Sequence, residues 1–113
     1  MIIDTRMSTD TVYWINDPGH AWLAVSLETY PDAWNYGTGF GYEDGRWIYL
    51  EEDVEAPAFM LDHLDIAKRS STGQLAEKSY DFDAPVRRLR PNMAMLDYDA
   101  YMARRRAYLE ANA

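Results

Sequence analysis

Apolar and polar residues alternate with a period of two through much of the first half of the chain, the spacing of strands with one face turned inward. Thr11-Val12-Tyr13-Trp14-Ile15-Asn16 is rich in β-branched and aromatic residues and runs into Asp17-Pro18-Gly19, a strong turn signal. HAWLAVS, residues 20–26, alternates again, with Trp22 and Ala24 on one side and Leu23 and Val25 on the other. The two runs predict a hairpin. A second hairpin is predicted from Thr38–Tyr42 and Arg46–Leu50 around Glu43-Asp44-Gly45, whose Asp-Gly pair tolerates positive φ. Its second strand sets Trp47 and Tyr49 against Ile48 and Leu50. Between the hairpins, LETYPDAWNYG (residues 27–37) reads as a short helix or structured loop that Pro31 interrupts.

The period changes after Asp53. Val54, Leu61, Leu64 and Ala67, with Met60 alongside, approximate one face of a helix running to Lys68. Asp53 is placed as its N-cap, Glu55 in its first turn, and Lys68 and Arg69 at the end where cations suit the helix dipole. Gln74–Phe82 is a candidate fifth strand. Residues 83–91, with Pro85 and Pro91, fit no single period. Tyr98, Tyr101, Met102, Tyr108 and Leu109 mark a C-terminal helix with Asp97 as its cap. The expected fold is α+β: a small antiparallel sheet of four to five strands, made from two hairpins, packed by a central helix and a C-terminal helix. It forms a single domain over residues 11–113, preceded by a flexible tail at 1–10 in which Met7 is an alternative start.

Composition narrows the class. The chain has 113 residues, 48% apolar and 14% aromatic, enough for one folded core. It has no cysteine, so disulfide scaffolds and thiolate metal sites are excluded. The N-terminus carries no secretory pattern and no run is long enough for a membrane span, which predicts a soluble protein in the cytoplasm of a host cell. Charge is uneven. Residues 1–65 hold 13 acids against Arg6 and Arg46, whereas residues 66–113 hold 6 acids against 9 bases, and the whole chain is −8. The acidic part disfavours direct nucleic-acid binding and attracts a basic protein surface.

The densest group of carboxylates is YLEEDVEAPAF, residues 49–59. Consecutive strand residues point to opposite faces, so Glu51 and Glu52 do not converge on one cation, and neither a metal nor another cofactor is expected. The only histidines, His20 and His63, lack a ligand spacing. No nucleophile–base pattern is present, and GTGFG (residues 37–41) lacks the lysine of a phosphate-binding loop, so no catalytic residue is assigned. Arg87, Arg88 and Arg90, and separately Arg104, Arg105 and Arg106, are read as partners of the acidic half, with phosphate binding as the alternative. Tyr30, Trp34 and Tyr36 lie in the irregular segment, and such rings commonly anchor protein interfaces. The expected partner-binding face therefore comprises Glu43, Asp44, Glu51, Glu52, Asp53 and Glu55 with Tyr30, Trp34 and Tyr36.

DPGHAWLAVS (17–26), GFGYEDGRWIYLEEDVEAPAFM (39–60) and DAPVRRLR (83–90) together resemble a group of small uncharacterised proteins of bacteriophages, prophages and plasmids. That group has DPGHGWL-like, YLEED-like and Arg-Arg segments in the same order. The present chain departs at Ala21, where glycine is expected, and residues 61–82 carry no match. The resemblance implies a mobile-element origin and no catalytic residues. By analogy of size, charge and origin, it implies an acidic, non-enzymatic inhibitor of a host nucleic-acid-handling defence complex, anti-CRISPR-like and a nucleic-acid mimic. Two alternatives stand beside it: an accessory module that binds another phage protein, and a small metal-dependent hydrolase using carboxylates with His20 or His63.

Overall fold

The computed structural model describes residues 8–17, 19–79, 87–91 and 98–111. Six strands form one sheet: β1 (Tyr13–Asp17), β2 (His20–Ser26), β3 (Tyr42–Glu43), β4 (Trp47–Glu51), β5 (Ala76–Ser79) and β6 (Arg87–Arg88). Three α-helices accompany them: α1 (Glu55–Asp62), α2 (Leu64–Ser71) and α3 (Tyr98–Ala111). The α+β class is as expected. The spatial order is β5-β1-β2-β4-β3-β6, one strand more than the expected maximum. The sheet is also mixed, because β5 pairs with β1 in parallel. The connection explains this. β4 and β1 are both antiparallel to β2, so β4 and β1 run the same way. The helices α1 and α2 carry the chain from β4 across to the far edge, a crossover that delivers β5 parallel to β1.

Cross-strand register separates two apolar faces. Leu23, Val25, Ile48 and Leu50 face a core completed by Ala56, Ala58 and Phe59 of α1 and Ile66 of α2. Tyr13, Ile15, Trp22, Ala24, Trp47 and Tyr49 form the other, aromatic face, with Tyr42 against it. Tyr13 and Trp47 meet there edge to face at 6.1 Å. Both parities of β2 and β4 are buried, as befits the two central strands.

Several local expectations are corrected. Pro31 begins a 3-10 helix, Pro31–Tyr36, because its fixed φ suits a first helical position. The glycine-rich start of the second hairpin is not strand, and β3 is confined to two residues. The central helix is broken at His63, whose backbone is non-helical at φ −134° and ψ 69°. The break resets the helical phase, so Ile66 and Ala67 are buried while Leu64 is exposed. Asp53 is not the cap: α1 starts after Val54, and the Glu51 carboxylate accepts from the amides of Asp53 (2.9 Å) and Val54 (3.2 Å). Residues 8–10 are tied to the domain, with the Ser8 amide donating to the Tyr13 hydroxyl at 2.9 Å and Thr29 Oγ1 donating to the Thr9 carbonyl at 2.6 Å. Residues 1–7 of the expected tail, Asp97 and the continuation of the fifth strand to Phe82 lie outside the described residues.

One acid organises the junction of these elements. Glu55 is 0% exposed, and its carboxylate accepts from the Thr38 amide (2.6 Å), the Thr38 hydroxyl (2.8 Å) and the Glu51 amide (2.9 Å). Gly41 lies against it so closely that a Cβ there would sit 2.2 Å from Glu55 Oε1 and 2.5 Å from the Tyr49 carbonyl oxygen. A second network joins the helices. Tyr36 donates to Asp62, Arg104 of α3 pairs with the same carboxylate, and His63 Nε2 lies 2.7 Å from Asp32 while its ring stacks on Phe59 at 4.2 Å. This accounts for Arg104 as a structural partner of the acidic half.

Two predictions follow from these networks. Glu55→Ala strands two backbone donors and is expected to cost about 3–5 kcal/mol. Gly41→Ala is expected to lose at least about 2 kcal/mol by the same contact, whereas Glu52→Ala stays within about 0.5 kcal/mol; urea midpoints measure all three. The Asp62 carboxyl is pushed up by burial, but hydrogen bonds from Tyr36 and Arg104 and the Arg104 charge outweigh this and hold it below its ordinary 3.8. A depressed carboxyl stabilises the fold above its unfolded value and loses that contribution as pH falls through the folded one. Melting temperature against pH should therefore decline below about pH 4, and Asp62→Asn should make that decline shallower.

Candidate functional site

On the aromatic face, near the β3–β6 edge, the sheet opens into a cleft of about 590 Å³. Strand alternation makes it: His20 and Trp22 share one parity of β2, and Trp22 is paired with Glu51 of β4. Across β4, Tyr42 of β3 continues the same face and is paired with Arg88 of β6. The floor is therefore aromatic. Trp22 lies 5.6 Å from the His20 ring and 5.9 Å from the Tyr42 ring, centroid to centroid. The rest of the lining is Phe40, 63% exposed, with Glu51, Asp53, Val54 and Arg88. All the lining residues fall within residues 17–26, 39–60 and 83–90.

The charges of the cleft are held in different ways. The Arg88 guanidinium lies 4.5 Å from the centre of the Tyr42 ring and donates from Nη1 to the Phe40 carbonyl at 3.0 Å. It is thus fixed as part of the wall. Burial pushes the Glu51 carboxyl above its ordinary value, and the neighbouring Asp53 charge adds to this, against the lowering effect of the Asp53 and Val54 amides. Asp53 itself is exposed at the rim. An aromatic floor, one carboxyl raised by burial and one exposed carboxylate suit a ligand with an apolar stem and a cationic head.

The expected acidic face does not form as a continuous surface. Glu55 is fully buried, and Glu43 is buried and paired with Arg87 Nε at 2.8 Å. Asp44 closes the β3–β4 turn, accepting from the amides of Arg46 (2.9 Å) and Trp47 (2.8 Å) and from the Tyr49 hydroxyl (2.8 Å). Glu52 is exposed but lines a different hollow, of about 310 Å³, with Trp14, Ser70 and Glu77. Only Glu51 and Asp53 of the six acids reach the cleft. The aromatics also divide. Tyr36 is buried, Tyr30 packs edge-on against Phe59 and His63, and Trp34 remains 43% exposed beside the arginines of β6. The physical reason is shared: a short α+β domain closes its turns and helix starts with whichever carboxylates lie nearest.

His20, Trp22, Phe40, Tyr42, Val54 and Arg88 were not among the expected site residues. The parity of His20 and Trp22 was legible, as was the turn before them. The juxtaposition depends on the order β2-β4-β3-β6, and that order requires β6, which no periodicity in residues 83–91 announces. Among the described residues no group of three or more His, Asp or Glu is arranged to hold a metal ion. Compared with known proteins, the chain matches no family model, no curated protein and no solved structure.

Proposed function

We propose that this protein is a non-enzymatic binding module that takes a basic segment of a partner protein into the aromatic cleft. The observation that carries the reading is the meeting of the Glu51 and Asp53 carboxyls with the Phe40, Trp22 and Tyr42 rings in one open cleft. A lysine or arginine side chain presents the matching chemistry, a methylene stem and a cationic head. A cation beside Glu51 also offsets the burial that raises its carboxyl. The net charge of −8 would speed the approach of such a partner.

In its sharpest form the partner is a basic surface of a host nucleic-acid-handling defence complex, and the protein is an anti-CRISPR-like inhibitor carried by a mobile element. The acidity of the chain and the resemblance of its three segments support that form. The mode we propose is docking of a basic side chain, not mimicry of nucleic acid by a row of carboxylates, because Glu43 and Glu55 are buried and Asp44 is committed to a turn.

Neighbouring acids separate specific docking from diffuse attraction. Asp53 is in the cleft, whereas Glu52, of the same charge, lines another hollow. Binding of a labelled Arg/Lys-rich peptide, followed by fluorescence anisotropy, should weaken about tenfold or more in Asp53→Lys and in Phe40→Ala. Glu52→Lys should change it by no more than about threefold. Equal losses in Asp53→Lys and Glu52→Lys would mean that only overall charge matters. Affinity should also fall as pH drops through the range where Glu51 protonates, which begins above its ordinary 4.5.

A further inference from the structure

The edge strand β6 carries a second concavity, of opposite character, that the docking cleft does not explain. A hollow of about 420 Å³ is lined by Trp34, Glu43, Arg87, Arg88 and Arg90. In a chain of net charge −8 it gathers three arginines around one exposed indole.

The arginines hang from a backbone that is clamped on both sides. The Leu89 side chain between them is fully buried, and its amide donates to the Gly41 carbonyl at 2.9 Å. The backbone of Gly37 lies against the Arg90 carbonyl, where a Cβ would come within 2.1 Å of the oxygen. One guanidinium is also oriented on the hollow side, and another is held on the side of the aromatic cleft. The buried Glu43 holds Arg87 through Nε, while the Arg87 side chain stays 83% exposed. Arg88 is fixed by the Tyr42 ring and the Phe40 carbonyl. A surface arginine normally loses side-chain freedom when it binds an anion, and for Arg87 part of that loss has already occurred on folding.

Oriented guanidinium forks match phosphate oxygens, and an exposed indole offers a stacking face to a planar ring. We infer that this hollow is a binding site for a nucleoside phosphate, with the phosphate on Arg87 and Arg90 and the base on Trp34. Its volume is in the range of small-ligand sites and suits a single nucleotide. The acidity of the rest of the chain repels a polyanion, so the free mononucleotide is the favoured source of this chemistry over the end of a nucleic-acid strand.

Calorimetric titration of the full chain with ADP tests the inference, with adenosine, inorganic phosphate, a 5′-phosphorylated trinucleotide and an oligoglutamate peptide as further arms. ADP should bind saturably, and adenosine and inorganic phosphate should each bind about tenfold or more weaker. Trp34→Ala and Arg90→Gln, both at exposed positions, should each weaken ADP about tenfold. Arg87→Lys keeps a cation beside Glu43 but removes the fork, and should weaken ADP while leaving the melting temperature unchanged. Binding of the trinucleotide tighter than ADP would assign the same site to a strand end, and weaker binding assigns it to the free nucleotide. The inference is overturned if ADP shows no saturation, if inorganic phosphate or oligoglutamate binds as well as ADP, or if the three variants bind ADP like the parent chain.

Discussion

The carboxylate of Glu55 is the interaction on which the other parts of this structure depend. It is buried at the start of α1 and takes hydrogen bonds from the loop at Thr38 and from the last residue of β4. In doing so it fixes three things at once: where β4 stops, where the helix begins, and how the glycine-rich loop returns to β3. A buried carboxylate is tolerated only when its oxygens are satisfied, and here the donors are mostly backbone amides that would otherwise lack partners. The close approach of Gly41 belongs to the same arrangement, since any side chain there would displace the carboxylate or the Tyr49 carbonyl. Both concave sites stand on this junction. Glu51 and Asp53 of the cleft lie on the turn that Glu55 anchors, and the arginine-bearing strip is hydrogen-bonded to Gly41.

The sheet adds a division of labour between its faces. One face packs on α1 and α2 and forms the larger apolar core. The other is built of aromatic rings that pack on one another, and its floor opens toward β3 and β6 as the aromatic cleft. Aromatic residues suit this second face because each buries a large area while keeping a polar tip or edge for a ligand. Arg88 stands between the two concavities and lines both. An anionic ligand on the arginine edge and a basic segment in the cleft would therefore sense one common side chain.

Much of the local structure was legible from spacing alone. β2 occupies the run HAWLAVS, and the opposition of Trp22 and Ala24 to Leu23 and Val25 follows from strand parity. What escaped was set by contacts distant in sequence. The break at His63 accompanies a bond to Asp32, and β6 exists because Arg87 and Arg88 pair with β3 across forty-odd residues. Which carboxylates stay exposed was not legible for a related reason. A carboxylate in a sequence string carries no mark of whether it will cap a turn, as Asp44 does, or be buried, as Glu55 is. Glu51 and Asp53 alone kept a place in the cleft, and the rings beside them became neighbours only through the strand order.

The central claim is that one aromatic cleft receives a basic side chain. Titrating the ¹⁵N-labelled protein with an Arg/Lys-rich peptide and following amide and indole resonances tests it most directly. The account predicts saturable shifts confined to residues 20–22, 40–42, 51–54 and 88, including the Trp22 indole, with residues 10, 28, 65 and 77 unmoved. Shifts that spread evenly over exposed acids such as Asp10, Glu28, Asp65 and Glu77, or that leave the cleft untouched, would contradict it.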